Sequence, residues 1–429
     1  MARVTHTAAI LDFASAPHTL PRQSRADAER LLADTLSVGA AGAVSPEAVK
    51  LLEAIAGWGT STAARLFSGG TAPALSAAFF NSFAIHCLEW DAVHEPAVVH
   101  ALSVVTAALL ASSDRVGGDD VDALLTALCV GVDIASGLGM SATAPMKFFR
   151  PSTAGVIGAA LAVARLEGYS RAEMTDILGL AYSFAGGTMQ AHVEASVALP
   201  LQIGRAAQAA IQAVDLVGAG LTGPHDVLEG PFGYSELIEP LDLALYTADL
   251  GSIWRISEVS VKPFPSGRAS HGALGALQGL RNNRQISLDN VESIELFAPP
   301  LIHRLVGRNY QQDAPMSYNR LCLAFLAPLM LRDGHIDPRH IQTMPSLAEK
   351  VTVTLNGNSD GNALSPQRLV VRLKDGSIIE QDIYDNLGSP AAPMSPAQYA
   401  AKSDLCRILA PNCDPRIFND PLAYVTEPR

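Results

Sequence analysis

Between about residues 24 and 220 the apolar positions recur at helical spacing, as in Leu31, Leu32, Thr35, Leu36 and Gly39, and β-branched alternation is almost absent. That period gives each segment one apolar stripe to bury and predicts a packed helical bundle. Start signals agree. Ser45-Pro46-Glu47 sets a hydroxyl cap before a proline at the first helical position, and Ser170-Arg171-Ala172-Glu173 reads as a capping box. Small residues crowd 152–164 and 204–219, which lets helix axes approach closely. The pattern changes after Trp254. Segments 258–261, 293–297, 350–355 and 368–373 are short, rich in Val and Ile, and lie among turn pairs such as Asn356-Gly357 and Asp375-Gly376. They read as strands, with helices interleaved at about 271–282 and 316–332, so 258–385 is predicted to be a smaller α+β region. Ser395-Pro396-Ala397-Gln398 then opens a last helix that can pack back on the first region.

Composition adds limits to this picture. A chain of 429 residues is long for a single core, which makes two domains the starting expectation. It is 48% hydrophobic and 17% charged, too apolar for disorder. A formal net charge of −12 makes nucleic acid and anionic lipid poor partners, whereas a local basic cluster can still hold a small anion. Five cysteines without a CxxC pair indicate neither a disulfide framework nor a zinc knuckle, and reduced thiols fit a cytoplasmic location. The N-terminal apolar patch holds Asp12 and is no signal peptide. The weakly charged run 96–113 contains His100 and several hydroxyls and is read as a buried helix of a soluble protein, not a membrane span.

Chemistry is concentrated in two places. His86, Glu89, Trp90, Asp91, His94, Glu95 and His100 sit inside otherwise apolar sequence, where ionisable groups are costly unless paired or used. Spacing alone puts His86 and Trp90 on one helix face. A carboxylate beside an imidazole fixes one tautomer and suits general acid/base work. Metal ligation by His94, Glu95 and His100 is the rival, without a standard ligand spacing, and a solvated helix end is the plain alternative. The second place is Lys262-Pro263-Phe264-Pro265-Ser266-Gly267-Arg268-Ala269-Ser270-His271, where a turn leads into a helix near Arg268 and two cations can meet a carboxylate. Its plain alternative is a connection whose cations face water. Arg150 before a small-residue helix is a weaker candidate. Gly218-Ala219-Gly220-Leu221-Thr222-Gly223 spells GxGxxG, but a helix precedes it and Pro224 follows, so it is read as a helix terminus.

These segments, in this order, resemble the MmgE/PrpD family, which includes 2-methylcitrate dehydratases, cis-aconitate decarboxylases and an iminodisuccinate epimerase. The resemblance rests on Asn81 leading to His86-Cys87-Leu88-Glu89-Trp90-Asp91 and His100, and on Gly204-Arg205-Ala206-Ala207. It continues through Gly220-Leu221-Thr222-Gly223-Pro224 with Leu228-Glu229-Gly230, then Lys262 with Phe264-Pro265 and His271, and ends with Gly388-Ser389-Pro390, Pro393-Met394-Ser395 and Lys402. It implies a mainly α fold: a large all-helical domain from 1–257 and 386–429, an inserted smaller α+β lid domain over 258–385, a cleft between them, a homodimer and no metal or organic cofactor. Where the family carries a second histidine and a lysine, this chain has Phe149 and Leu199, and Arg320 stands where a tyrosine is usual. The expected catalytic set is His100, Asp91, Glu89 and Lys262, with Arg268, His271, Arg150, His192 and Arg320 to bind substrate. The expected activity is a cofactor-independent lyase, a dehydratase or decarboxylase, acting on a small di- or tricarboxylic acid. An epimerase or isomerase on the same scaffold, or a non-catalytic binding protein, are the competing expectations.

Overall fold

The computed structural model describes residues 5–339 and 346–428. The chain is mostly helical, with a small mixed sheet in its C-terminal part. The helical core is built from α1 (Arg22–Ala43), α2 (Ala74–His86), α3 (Ala101–Val116), α4 (Val121–Met140), α5 (Arg150–Leu166), α6 (Arg171–Ser183) and α7 (Ala198–Gly218). Helix α5 packs on α3, α4 and α7, and α2 is held between α1, α3 and α7. Small residues make this possible. A Cβ on Gly42 of α1 would stand 1.9 Å from the Ala84 carbonyl oxygen of α2, and one on Gly204 of α7 would stand 2.7 Å from that of Phe79. Only glycine lets both neighbours close on α2, which carries His86 at its end. Helix α4 is long and apolar enough to cross a membrane, but 89% of its apolar window is buried against the rest of the protein.

The caps form as the residues dictate. The side chains of Ser45 and Ser170 accept from the backbone at Ala48 and Glu173, with a full capping box at Ser170. Gly218 is the last residue of α7 and Gly220 follows at φ +88°, which closes the helix as a glycine terminus does.

A second hydrophobic core runs from Phe264 to Ile383. Its helices are α8 (His271–Asn282) and α9 (Leu323–Asp333), and its strands β1 (Val291–Ala298), β2 (Val351–Leu355), β3 (Gln367–Leu373) and β4 (Ile378–Ile383) lie in the order β2-β1-β3-β4. The β1–β2 pair is parallel and the other two are antiparallel. Helix α10 (Pro396–Leu409), with its own capping box at Ser395, returns to pack on α1.

Three expectations need correction. Of 258–261, only Val259-Ser260 pairs, and its partner is Val93-His94 in the first half of the chain. Val259 and Val261 are buried in the helical core, so this segment is not part of the mixed sheet. The pair Ala64-Arg65 with Thr71-Ala72 likewise adds a short ladder to a region read as all-helical. The helix expected at 316–332 is broken at Arg320-Leu321-Cys322, where the Arg320 carbonyl accepts from Gly267 and Cys322 turns extended.

Candidate active site

Helix α2 ends at His86, and the next residues turn sharply instead of continuing it. Glu89 adopts a left-handed φ of +54°, with its N–H on the His86 carbonyl at 2.8 Å. A non-glycine residue holds that conformation only when its surroundings fix it. They do so here: Trp90 Nε1 donates to the Pro263 carbonyl at 3.3 Å, and Lys402 Nζ donates to the Trp90 carbonyl at 3.1 Å and pairs with Asp34 at 2.7 Å. His86 and Trp90 therefore do not share a helix face, contrary to their spacing. The turn brings Asp91 back to His86.

Asp91 is fully buried and is the hub of the cluster. His86 Nδ1 approaches its two oxygens at 3.0 and 3.1 Å, His100 Nδ1 lies 3.0 Å from Oδ2, and Ser103 donates its hydroxyl to the same oxygen. His100 occupies the cap position before α3, and Ser103 follows three residues on, in the first turn. The two imidazole rings meet edge to face at 4.8 Å. Lys262 Nζ donates to the carbonyl and to Oε2 of Glu89, both at 3.1 Å, and lies 3.8 Å from Asp91 Oδ1.

The charges follow from these contacts. Burial favours neutral carboxyls, but His100, His86 and Lys262 hold Asp91 well below its ordinary range, and Lys262 and His86 do the same for Glu89. Burial would depress His86, yet Asp91 and Glu89 raise it to about 9. For His100 burial prevails over Asp91, with Lys262 adding to it, and the pKa falls below 6.5. At neutral pH His86 is thus cationic and His100 neutral. An ionised Asp91 can only accept, so His100 donates through Nδ1 and keeps its lone pair on Nε2. His86 Nε2 stands 3.3 Å from Glu89 Oε1, but without the alignment of a hydrogen bond.

A cavity of about 70 Å³ adjoins this cluster. His86, Glu89, Glu95, His100, His192 and Arg268 form its polar lining, and Met146, Phe149, Met189, Leu199, Leu301 and Leu364 much of the rest. A recess of about 40 Å³ shares His86, Glu89, Leu199 and Leu321 and reaches Arg320, Ser196 and Ser317. A larger cavity, about 840 Å³, lies between α1 and α10, where Asp34 is matched by Lys402 and Asp27 by Arg30. Its size exceeds that of the His100 cavity, but its charged walls are paired and it lacks a free imidazole.

Several expected substrate ligands are engaged elsewhere. Arg150 is 1% exposed and bonds Glu239 and the Ala97 and Ala144 carbonyls, so it serves as a strut and does not line the cavity. His271 is buried between Arg268 Nη1, at 3.2 Å from its Nδ1, and the Ser266 carbonyl, at 3.2 Å from its Nε2; burial and the neighbouring cations hold it neutral. Lys262 neutralises Glu89 and Asp91 behind the cavity wall. Arg268 faces the cavity, but its charge is matched by Glu95 at 2.7 Å. His94 and Glu95 are not free ligands either, since His94 pairs with Glu258 at 2.9 Å. His192 lines the cavity, neutral because burial and the charge of Arg308 lower its pKa to about 4. The sequence places His86 in the acid/base cluster without giving it a role, and does not mark Ser103 or Lys402 as site residues; the three-residue step from His100 to Ser103 is the available signal for the serine.

His86, Asp91 and His100 each bring a ligand atom within 4.8 Å of the others, from which a metal site could be built. Both Nδ1 atoms are hydrogen-bonded to the carboxylate, and the Lys262 ammonium opposes a second cation beside Asp91. The residues fit a proton-holding network better than a metal.

The sequence matches the MmgE/PrpD N-terminal domain over residues 9–242 and the MmgE/PrpD C-terminal domain over 264–407. The chain belongs to the MmgE/PrpD family. Among its relatives is the human cis-aconitate decarboxylase, 28% identical over 65% of this chain and 58% of that protein. The mouse cis-aconitate decarboxylase is 26% identical over 72% and 65%, and that of Aspergillus terreus 24% identical over 89% and 85%. The chain thus spans less than two thirds of the length of the two mammalian relatives. Against the family pattern, the two departures at Phe149 and Leu199 both fall on the cavity wall.

Proposed function

We propose that this protein is a lyase that works by acid/base chemistry on a carbon next to a carboxylate, without a cofactor. The observation that carries this reading is His100, neutral, oriented through Nδ1 by a buried carboxylate and with Nε2 unpartnered among the described residues at a cavity wall. In a dehydration, Nε2 takes the proton from the carbon beside the carboxylate, and the released electron pair forms the double bond as hydroxide leaves with a proton from an acid. In a decarboxylation, the electrons of the broken C–C bond stay on that carbon, which then takes a proton that His100 Nε2 picks up from solvent and passes on. The cationic His86 next to it stabilises the negative charge that develops in either case. The region from Phe264 to Ile383 acts as a lid over this chemistry. A cytoplasmic homodimer belongs to the same proposal, supported by the family resemblance and by five free thiols.

Incubating the protein with candidate acids in D2O and following mass and configuration tests it. Loss of water or CO2 that disappears in His100→Gln is the expected result. Deuterium gained with inversion and no unsaturated or shortened product would establish an epimerase in its place.

A further inference from the structure

We propose that the substrate carries one carboxylate and a small apolar tail, the carboxylate held by Arg320 in the recess and the tail against the Met146, Phe149, Met189 and Leu364 wall. This rests on the reading of His100 as the acid/base group.

Charge is the first argument. Of the other cations nearby, Lys262 has Glu89, Arg268 has Glu95 and His86 stands between Asp91 and Glu89, while Arg308, bonded to the His192 carbonyl, lines neither the cavity nor the recess. Arg320 differs. It is 7% exposed, and among the described residues its Nη atoms bond only the carbonyls of Cys87 at 2.9 Å and Pro338 at 3.3 Å and its Nε has no partner. Glu47 and Glu89 line the same recess and act on its charge through space, but among the described residues no carboxylate pairs with it. A buried guanidinium with an unpartnered Nε and no carboxylate bonded to it can take an incoming one, and on the walls of cavity and recess a second carboxylate meets no other unpaired arginine or lysine.

Shape is the second. Beside His100 and His86 the cavity is lined mostly by apolar side chains, which offer nothing to a second or third carboxylate. Cavity and recess, about 70 and 40 Å³, hold roughly seven to eleven water-sized groups at ~10–15 Å³ each, enough for an acid of about four to six carbons.

The test is calorimetric titration of the full chain at neutral pH with 2-methylbut-2-enoate, 3-methylbut-2-enoate and cis-aconitate. A monocarboxylate Kd at least 10-fold below that of cis-aconitate is expected, and Arg320→Gln should raise it at least 10-fold. Met189→Ala should improve binding of an acid two carbons longer at least 5-fold. Tighter binding of cis-aconitate, or no saturable binding of either monocarboxylate, overturns the proposal, and the wild-type titration decides this even if a variant does not fold. Monocarboxylate binding without hydration of the alkenoate, CO2 loss or deuterium uptake would sink the lyase reading alone. Turnover of cis-aconitate without monocarboxylate binding would sink the substrate class alone.

Discussion

On the cavity wall that comes from the helical core, His86, Glu89 and His100 gather around Asp91, and each polar group is held by another. On the wall that comes from residues 301–364, Leu301, Leu305, Leu321 and Leu364 present aliphatic surface. The first wall is a coupled network, in which removing one member strands the rest in a low dielectric. The second is a set of nearly independent contacts, whose loss changes fit and little else. Substitutions on the two sides should therefore fail in different ways.

The largest effect is expected at the hub. Asp91→Asn frees His100 to take the wrong tautomer, removes the counter-charge of His86 and should lower kcat about 1,000- to 10,000-fold, read by steady-state kinetics on whichever acid turns over. His100→Gln removes the proton carrier but leaves the buried carboxylate its other partners. It should cost about 100- to 1,000-fold in kcat, with an unchanged circular dichroism spectrum. Lys262→Met leaves Glu89 and Asp91 short of positive charge and should destabilise the fold by about 3–5 kcal/mol in urea unfolding. An unfolding midpoint equal to wild type would mean that the network is not coupled as described.

Acidity gives a gentler probe. With His100 depressed below 6.5, kcat/KM should fall on the acid side as this base is protonated. His86 is raised in the folded state, so its stabilising contribution is fully present below about 6.5 and is lost as pH rises through about 9. A melting temperature followed from pH 6 to about 10 checks that sign. Glu89 and Asp91, depressed by folding, contribute above the ordinary carboxylate range and lose that contribution as pH falls through their folded values. The smallest effect belongs to the aliphatic wall: Leu364→Ala should raise KM about 2- to 10-fold with kcat nearly constant.

The helices were legible because burying one stripe leaves a period in the sequence, and the caps at Ser45, Ser170 and Ser395 because they depend on neighbours three residues away. Strand β4 was not legible. It is an edge strand, and its Glu380, Gln381 and Asp382 are exposed, so no alternation marks it. Segment 258–261 carried a strand pattern, but a pattern reports burial and not partner, and the partner lies more than 160 residues earlier. In the site, Asp91, His86 and His100 are close in sequence and could be read together. Whether Arg150 or Arg320 has a spare charge depends on Glu239 and on two carbonyls, which only the folded chain reveals.

The Lys402 contact bears on how the protein is made. Trp90 and Lys402 are separated by 312 residues, yet the carbonyl beside Asp91 is held by that ammonium. On the ribosome the helices around His86 and His100 can gather long before residue 402 emerges. Until then Asp34 lacks its buried partner, and the turn through Glu89 lacks one of its anchors. The reactive centre is therefore completed only late in synthesis, and a nascent chain stalled before α10 would have much of the scaffold without the set geometry of its acid/base pair.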